Sequence, residues 1–395
     1  MIIRETFRRP ALSGRFKAGC LAGLFPVLAL WCLIPGPAWA QAGGDPVRIA
    51  VIYDRTGEAS VGIGERDFRG AALAVAAINA SGGLLGRHVE LLEFDNAGTT
   101  LGARHAAKQA VAAGVLAVVG GPFSGMSKAI AEVCQEARTP FVASIATHAD
   151  VTRAGDCAFR ICFTDDQQWD LLARFALQAL GARKAAVLVN VGSDYSMGLA
   201  ATFTRAFQAG GGDIVLEDAF KTNDADFSRQ LTAVAEKAPD VVFVPSYALE
   251  SGRILRQAKA MGITATFLGG DGWGPTMIDI GGAAVRGHYY TTHWHPEAPF
   301  PAGRAAAEAY RAAYGESPFQ PDAILAHDAV MVLADAVRRA GTPDREKVIP
   351  ALARTRDFPG GTGTITFDEN RNPIGKDVTI MRFTDDQAVF HATFR

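Results

Sequence analysis

The chain has 395 residues, of which 49% are hydrophobic and 20% charged, and its formal net charge is −2. A length of this order allows two domains, and near-balanced charge without a basic stripe argues against nucleic acid as a partner. At the N-terminus, Arg4, Arg8, Arg9, Arg15 and Lys17 precede an apolar run from Cys20 to Ile34, and Ala38-Trp39-Ala40 offers a small-x-small cleavage site before Gln41. Residues 1–40 therefore read as a cleavable secretory signal; the run is too short and too interrupted by Pro and Gly for an uncut membrane span. No lipobox cysteine stands at the cleavage point, so the mature chain is expected to be exported and soluble, without a lipid anchor.

Five cysteines are present, and Cys20 and Cys32 leave with the signal. Among Cys134, Cys157 and Cys162, an oxidising compartment allows one disulfide, expected between Cys134 and Cys157; the alternative is three reduced core thiols. No Cys-x-x-Cys pair points to zinc or redox chemistry.

From residue 47 onward, strand and helix signals alternate. Strands are expected over 47–53, 88–94, 116–119 and 141–146, with helices over 68–78, 101–113 and from Ser124. A second series follows residue 163: helices over 168–180, 197–209, 227–238 and 249–261, with strands over 185–190, 213–220, 241–245 and 266–268. Helices are expected again over 302–314 and 324–340. The tail carries short strand signals over 363–367, 378–383 and 388–392, expected to pair antiparallel around turns. Such β-α series imply parallel sheets covered on both faces, and two such lobes place a cleft between them.

One stretch of the first series has chemistry of its own. An apolar strand stops at Gly120-Gly121-Pro122, a helix opens at Ser124, and the next strand runs out at Thr147. Two hydroxyls and the positive end of a helix dipole then meet at the carboxyl ends of neighbouring parallel strands, a ready site for a small anion such as a carboxylate. Ser and Thr in such places also cap helices and brace turns, and the two roles coexist.

The chain resembles the leucine/isoleucine/valine-binding family of periplasmic solute-binding proteins, which serve ABC importers. The likeness runs over nearly the whole mature sequence. It is carried by Thr56-Gly57 with Gly64, by the segments 68–71, 77–83, 159–165, 194–200 and 254–258, and by Gly269-Gly270-Asp271-Gly272-Trp273. Each piece is weak; their number and order carry the assignment. The resemblance implies an α/β type I periplasmic binding protein fold: two doubly wound parallel-sheet lobes, joined by three crossover segments, with the ligand cleft between them. Lobe 1 is expected over 46–163 and 294–370, and lobe 2 over 164–293 and 371–395.

The same resemblance implies a ligand site. Ser124 matches the serine that meets a ligand carboxylate, and Ile145 and Thr147 match strand-end positions that contact carboxylate and ammonium. Tyr195 and Tyr247 match aromatic residues that close over the ligand, and Asp271 matches the acid that pairs with the α-ammonium. Phe123 and Trp273 add bulk nearby. The bare chemistry agrees, because a zwitterion enclosed in a cleft needs donors for one end and acceptors for the other. Two departures bear on the side-chain pocket: Asp271 is one methylene shorter than the family's usual glutamate, and Gly62 or Ile63 stands where the family has an aromatic residue. The expected ligand is a branched-chain or related hydrophobic or non-standard amino acid, with an amide, urea or aromatic acid, or a sensor role, as the alternative. Expected partners are this ligand and an inner-membrane ABC permease, with the binding protein a periplasmic monomer and no cofactor.

Other readings are weaker. His293 and His295 would share one face of an extended segment, but no third metal ligand accompanies them; a hinge or surface strand is the plainer reading. Gly269 to Gly274 could suggest a nucleotide loop, but Pro275 argues against a helix directly after it. No G-x-S-x-G elbow or Cys-His pairing is present, and Asp165-Asp166 and Asp385-Asp386 are adjacent pairs that point apart when extended. The chain is not expected to be an enzyme.

Overall fold

The computed structural model describes residues 44–57, 63–318 and 320–394; the expected leader over 1–40 and the Gly62 position lie outside these residues. The first sheet has five parallel strands in the order β2-β1-β3-β4-β5: β1 (Val47–Tyr53), β2 (Val89–Asp95), β3 (Ala117–Gly120), β4 (Phe141–Ala143) and β5 (Ala158–Arg160). Strand order reverses between β1 and β3, and in open α/β sheets the ligand crevice opens at the strands' carboxyl ends at such a switch point. Helices α1 (Ile63–Ala80), α2 (Thr100–Ala112), α3 (Ser124–Glu136) and the short α4 (Asp150–Arg153) complete this series.

The second sheet repeats the plan with β6 (Lys184–Asn190), β7 (Asp213–Phe220), β8 (Val241–Phe243), β9 (Thr266–Gly269) and β10 (Tyr289–Thr292), all parallel. It adds β13 (Val378–Phe383) and β14 (Ala388–Phe394) antiparallel at one edge. Its helices are α5 (Asp165–Arg174, prolonged by a π-turn to Ala179), α6 (Asp194–Ala209), α7 (Ser228–Lys237), α8 (Ala248–Ala260) and α9 (Thr276–Gly281).

After β10 the chain goes back to the first sheet through α10 (Pro301–Tyr314), α11 (Asp322–Ala340) and α12 (Arg345–Ala353). Leu325, Val330, Leu333, Val337, Val348 and Leu352 share one buried cluster with Ile49, Val51 and Tyr53 of β1. α11 lies so close to α1 that a Cβ on Gly70 would come within 2.0 Å of the Ala323 carbonyl oxygen. Backbone contact of that kind fixes α11, and with it Asp322 at its first turn, against the first sheet. β11 (Phe358–Gly360) and β12 (Gly363–Ile365) form a separate hairpin.

Several expectations are corrected. β4 ends at Ala143, three residues early, because Arg160 draws the following loop inward through the carbonyls of Ala146 and His148 (both 2.8 Å), leaving no ladder to continue. A helix does follow the Gly269–Gly274 loop: Pro275 caps α9, where its fixed φ suits the first turn and its missing N–H costs nothing. The 363–367 signal pairs with β11 and not with the tail strands. β10 and α12 lack a strong pattern in the sequence; α12 carries Pro350 in its interior. Cys134, Cys157 and Cys162 are free and buried, so the expected Cys134–Cys157 bond is absent. Cys134 packs in the cluster on the α2/α3 face of the first sheet and Cys157 in the cluster on the α1/α11 face.

Candidate functional site

Between the two sheets lies a cavity of about 1340 Å³, counting the space continuous with solvent, and Phe123, Ser124, Ile145, Thr147, Tyr195, Tyr247, Asp271 and Trp273 all line it. Gly120 and Gly121 set the carboxylate end. Their φ values are +134° and +71°, and a Cβ would fall 2.3 Å from the Ile52 carbonyl or 2.2 Å from Ser127 Oγ. Only glycine turns the chain here, so the first turn of α3 is brought against the end of β1. Phe123 occupies the N-cap without a side-chain cap bond, leaving the Ser124 hydroxyl uncommitted to capping. The N–H groups of Ser124, Gly125 and Met126 have no acceptor within the helix. Ser124 Oγ accepts only a long bond, 3.4 Å, from the His148 N–H. Thr147 is 1% exposed, and its Oγ1 has no hydrogen-bond partner among the described residues. An unpaired hydroxyl lining a cavity is what a ligand acceptor or donor would complete. Arg160, fully buried, holds the Thr147 loop through the two neighbouring carbonyls and is itself tied to Asn372 Oδ1 at 2.7 Å.

On the opposite wall, Asp271 follows β9 and is held from three directions. Tyr195 Oη donates to its Oδ1 at 3.0 Å, Gln168 Nε2 donates to the same oxygen at 2.9 Å, and His293 Nε2 lies 3.0 Å from Oδ2. The Gly272 N–H donates back to Tyr195 Oη at 2.8 Å. A carboxylate accepts about four hydrogen bonds, so one position stays open. Asp165, on the same side, is pushed up to about 7, chiefly by burial; the charge of Asp271 adds to this and the nearby Thr147 hydroxyl offsets part of it. Burial and the charge of Asp271 likewise hold the Tyr195 and Tyr247 hydroxyls well above the usual phenol range, so both remain neutral donors.

Aromatic rings close the cavity. Tyr195 stacks on Tyr247 (centroids 4.9 Å apart, planes at 15°), and Phe123 meets Tyr247 edge-on from the first lobe at 4.9 Å. Gln320 faces Gly274 across the cavity mouth, close enough that a Cβ added to Gly274 would lie 3.4 Å from its Nε2. Trp273 presents one face to the cavity but is anchored in the second lobe's core, its Nε1 donating to Ser251 Oγ at 2.8 Å.

The sequence reading missed Gln168, Glu250, Gln320 and Asp322. Gln168 is placed by the capping box of Thr164 and Gln167, a local signal that is visible in the sequence. Gln320 and Asp322 enter from a segment distant in sequence, and no local pattern marks them. His293 is buried under Phe163 (3.8 Å, stacked) and not on a surface strand, because Asp271 gives its ring a polar partner. His295 points elsewhere, accepting from the Glu297 N–H. Among the described residues no three His, Cys, Asp or Glu side chains are grouped to hold a metal ion, and no helix is long and apolar enough to cross a membrane.

The periplasmic binding protein family model matches residues 46–388. The Leu/Ile/Val-binding protein BraC3 of Rhizobium johnstonii is 32% identical over 353 residues, 89% of this chain and 95% of that protein. A leucine-binding protein LivK from Thermotoga maritima superposes with a TM-score of 0.83 at 36% identity, covering 88% of this chain and 99% of that one. LivJ of Streptococcus pneumoniae, solved in complex with isoleucine, gives a TM-score of 0.81 at 30% identity, with 88% and 99% of the two chains covered. By fold and by sequence, the chain belongs to the leucine/isoleucine/valine-binding family of type I periplasmic binding proteins.

Proposed function

We propose that this protein captures an α-amino acid in the periplasm and delivers it to an ABC permease. The observation that carries the reading is the polarity of the one cavity between the two sheets. Hydroxyls and a helix N-terminus stand on one wall, and a carboxylate with one open acceptor position stands on the other. Ser124, Thr147 and the α3 N–H groups would take the ligand carboxylate. Asp271, with Thr147 Oγ1 and the Ile145 carbonyl, would take the ammonium. Each end is charge-matched, which a buried zwitterion requires. The names of the relatives, binders of leucine, isoleucine and valine, support the same class of ligand, and the apolar lining of Phe123, Ile145, Tyr247 and Trp273 suits an aliphatic stem. An amide or urea offers no cation to Asp271, so those ligands fit less well.

Binding would act by closure: only the closed form touches the ligand from both lobes, so the ligand stabilises it. No bond is made or broken in this reading, and energy for transport comes from ATP at the partner. Residues 1–40 would direct export and be removed after Ala40, and the protein would work as a monomer. We read the lobe boundaries as 46–163 with 294–370, and 164–293 with 371–395.

A thermal-shift screen of the mature protein against amino acids, amides and aromatic acids tests the reading. A ligand at about 100 times its Kd adds ~2.7 kcal/mol to stability, a shift of several degrees. Stabilisation by an uncharged amide and by no amino acid would overturn it.

A further inference from the structure

The helix N-caps are of two kinds. α2, α5 and α6 open on a hydroxyl, that of Thr99, Thr164 or Ser193, which accepts an N–H of its own first turn. α3 and α8 open instead on a ring, Phe123 and Tyr247, and neither has a side-chain cap bond. A favourable bond is given up at both places. α7 and α10 also open on a ring, but Phe227 is buried in the second lobe's core and Phe300 packs on a cluster around Trp294. Phe123 and Tyr247 face the cavity.

The two rings come from opposite walls and meet edge-on, with centroids 4.9 Å apart and planes at 89°. Tyr247 is seated in its own lobe. It packs against a core cluster of the second sheet and stacks on Tyr195, whose Oη donates to Asp271. Phe123 is only half-buried and belongs to neither buried cluster of the first sheet. Its ring therefore finds its aromatic partner in the other lobe, and opening of the cleft would return that face to water. Phe123 also directly precedes Ser124, so the turn proposed to meet the ligand carboxylate carries this contact as well.

We propose that the Phe123–Tyr247 contact is a latch between the lobes, which holds the closed form whatever the side chain of the bound amino acid. Phe123 is then a positioning residue that acts through Tyr247. This rests on the amino-acid reading and the closure described above. A latch favours the closed form equally in every complex, so its loss raises every Kd by one factor; the wall of a side-chain pocket discriminates between ligands. The rings must part before the ligand leaves but need not meet before it enters, so the effect falls on release.

Stopped-flow release and isothermal titration with leucine, isoleucine, valine and alanine, on the mature protein and on Phe123→Leu, test the latch. The variant keeps an apolar side chain and removes the ring. Release is expected to quicken about three- to tenfold for every ligand that binds, with association changed less than about twofold. Phe123→Tyr, which keeps the ring, is expected to release ligand within about twofold of the parent. Added to Tyr247→Leu, the Phe123→Leu change should quicken release by less than about twofold more, because the partner ring is already gone. A folded Phe123→Leu that releases ligand within about twofold of the parent overturns the latch and leaves the amino-acid reading standing. So does a loss that differs by more than about threefold between leucine and alanine, which makes Phe123 a wall of the side-chain pocket. Failure of every amino acid to bind the parent overturns both.

Discussion

Replacing Asp271 with alanine should separate the ammonium contact from everything else in the cleft. The carboxylate takes three bonds from its own protein, from Tyr195, Gln168 and His293, and has room for about one more. Its role toward a ligand is therefore one charge-assisted hydrogen bond plus the field of a buried negative charge. Truncating one member of such a buried pair costs about 2–5 kcal/mol, because the other charge stays enclosed without a partner. That corresponds to an amino-acid Kd raised by roughly 30- to 4,000-fold. Asp271→Asn should lose less, since the amide oxygen can still accept. The assay is isothermal titration with the tightest amino acid and with its deaminated analogue, on parent and variants side by side. The deaminated analogue should bind parent and Asp271→Ala within about threefold of each other, since the variant removes nothing it uses. If Asp271→Ala binds the amino acid within threefold of the parent, the ammonium is held elsewhere and the reasoning fails.

Further outcomes follow from the same geometry. Ser124→Ala should weaken the amino acid by ~10- to 100-fold, the loss of one hydrogen bond to a charged group, without loss of helix stability because Ser124 caps nothing; equal affinity in a competition titration would count against the carboxylate site. Asp165 holds its proton to about pH 7 in the folded state and to about 4 when unfolded, so folding stability should fall as pH rises through that window, by up to ~4 kcal/mol. Asp165→Asn should flatten that fall, which urea midpoints at pH 5 and pH 8 would show; an unchanged slope would contradict the assignment. Thiol titration of the mature protein should find no reactive cysteine when folded and three after unfolding without reductant, whereas a single one would reveal a disulfide. Mass analysis of the exported protein should place its N-terminus at Gln41, and a retained leader would refute the cleavage reading.

How far the sequence discloses this molecule depends on whether a feature is local. The start of α3 at Ser124 is readable because Gly120-Gly121-Pro122 must break a strand and the residues after it favour a helix. The parallel sheets are readable from apolar runs such as 47–53 and 185–190, which are buried on both faces and so lose the alternation of a half-exposed strand. α9 was obscured by reading Pro275 as a breaker when it sits at a helix start, where proline is favoured. The eight expected side chains line one cavity, yet the carboxylate of Asp322 and the amide of Gln320 stand with them unannounced. They arrive through the packing of α11 on α1, a contact between segments about 250 positions apart, and residue spacing carries no trace of it. Gln168 and His293 are hidden for a related reason: their roles exist only once Asp271 stands between them.

A crystal structure of the mature protein with its tightest amino acid tests the central claim most directly. The account predicts the ligand carboxylate on Ser124 and the first turn of α3, its ammonium on Asp271 and Thr147, and both lobes in contact with it. A ligand lying the other way round, or bound outside the cavity between the sheets, would contradict it.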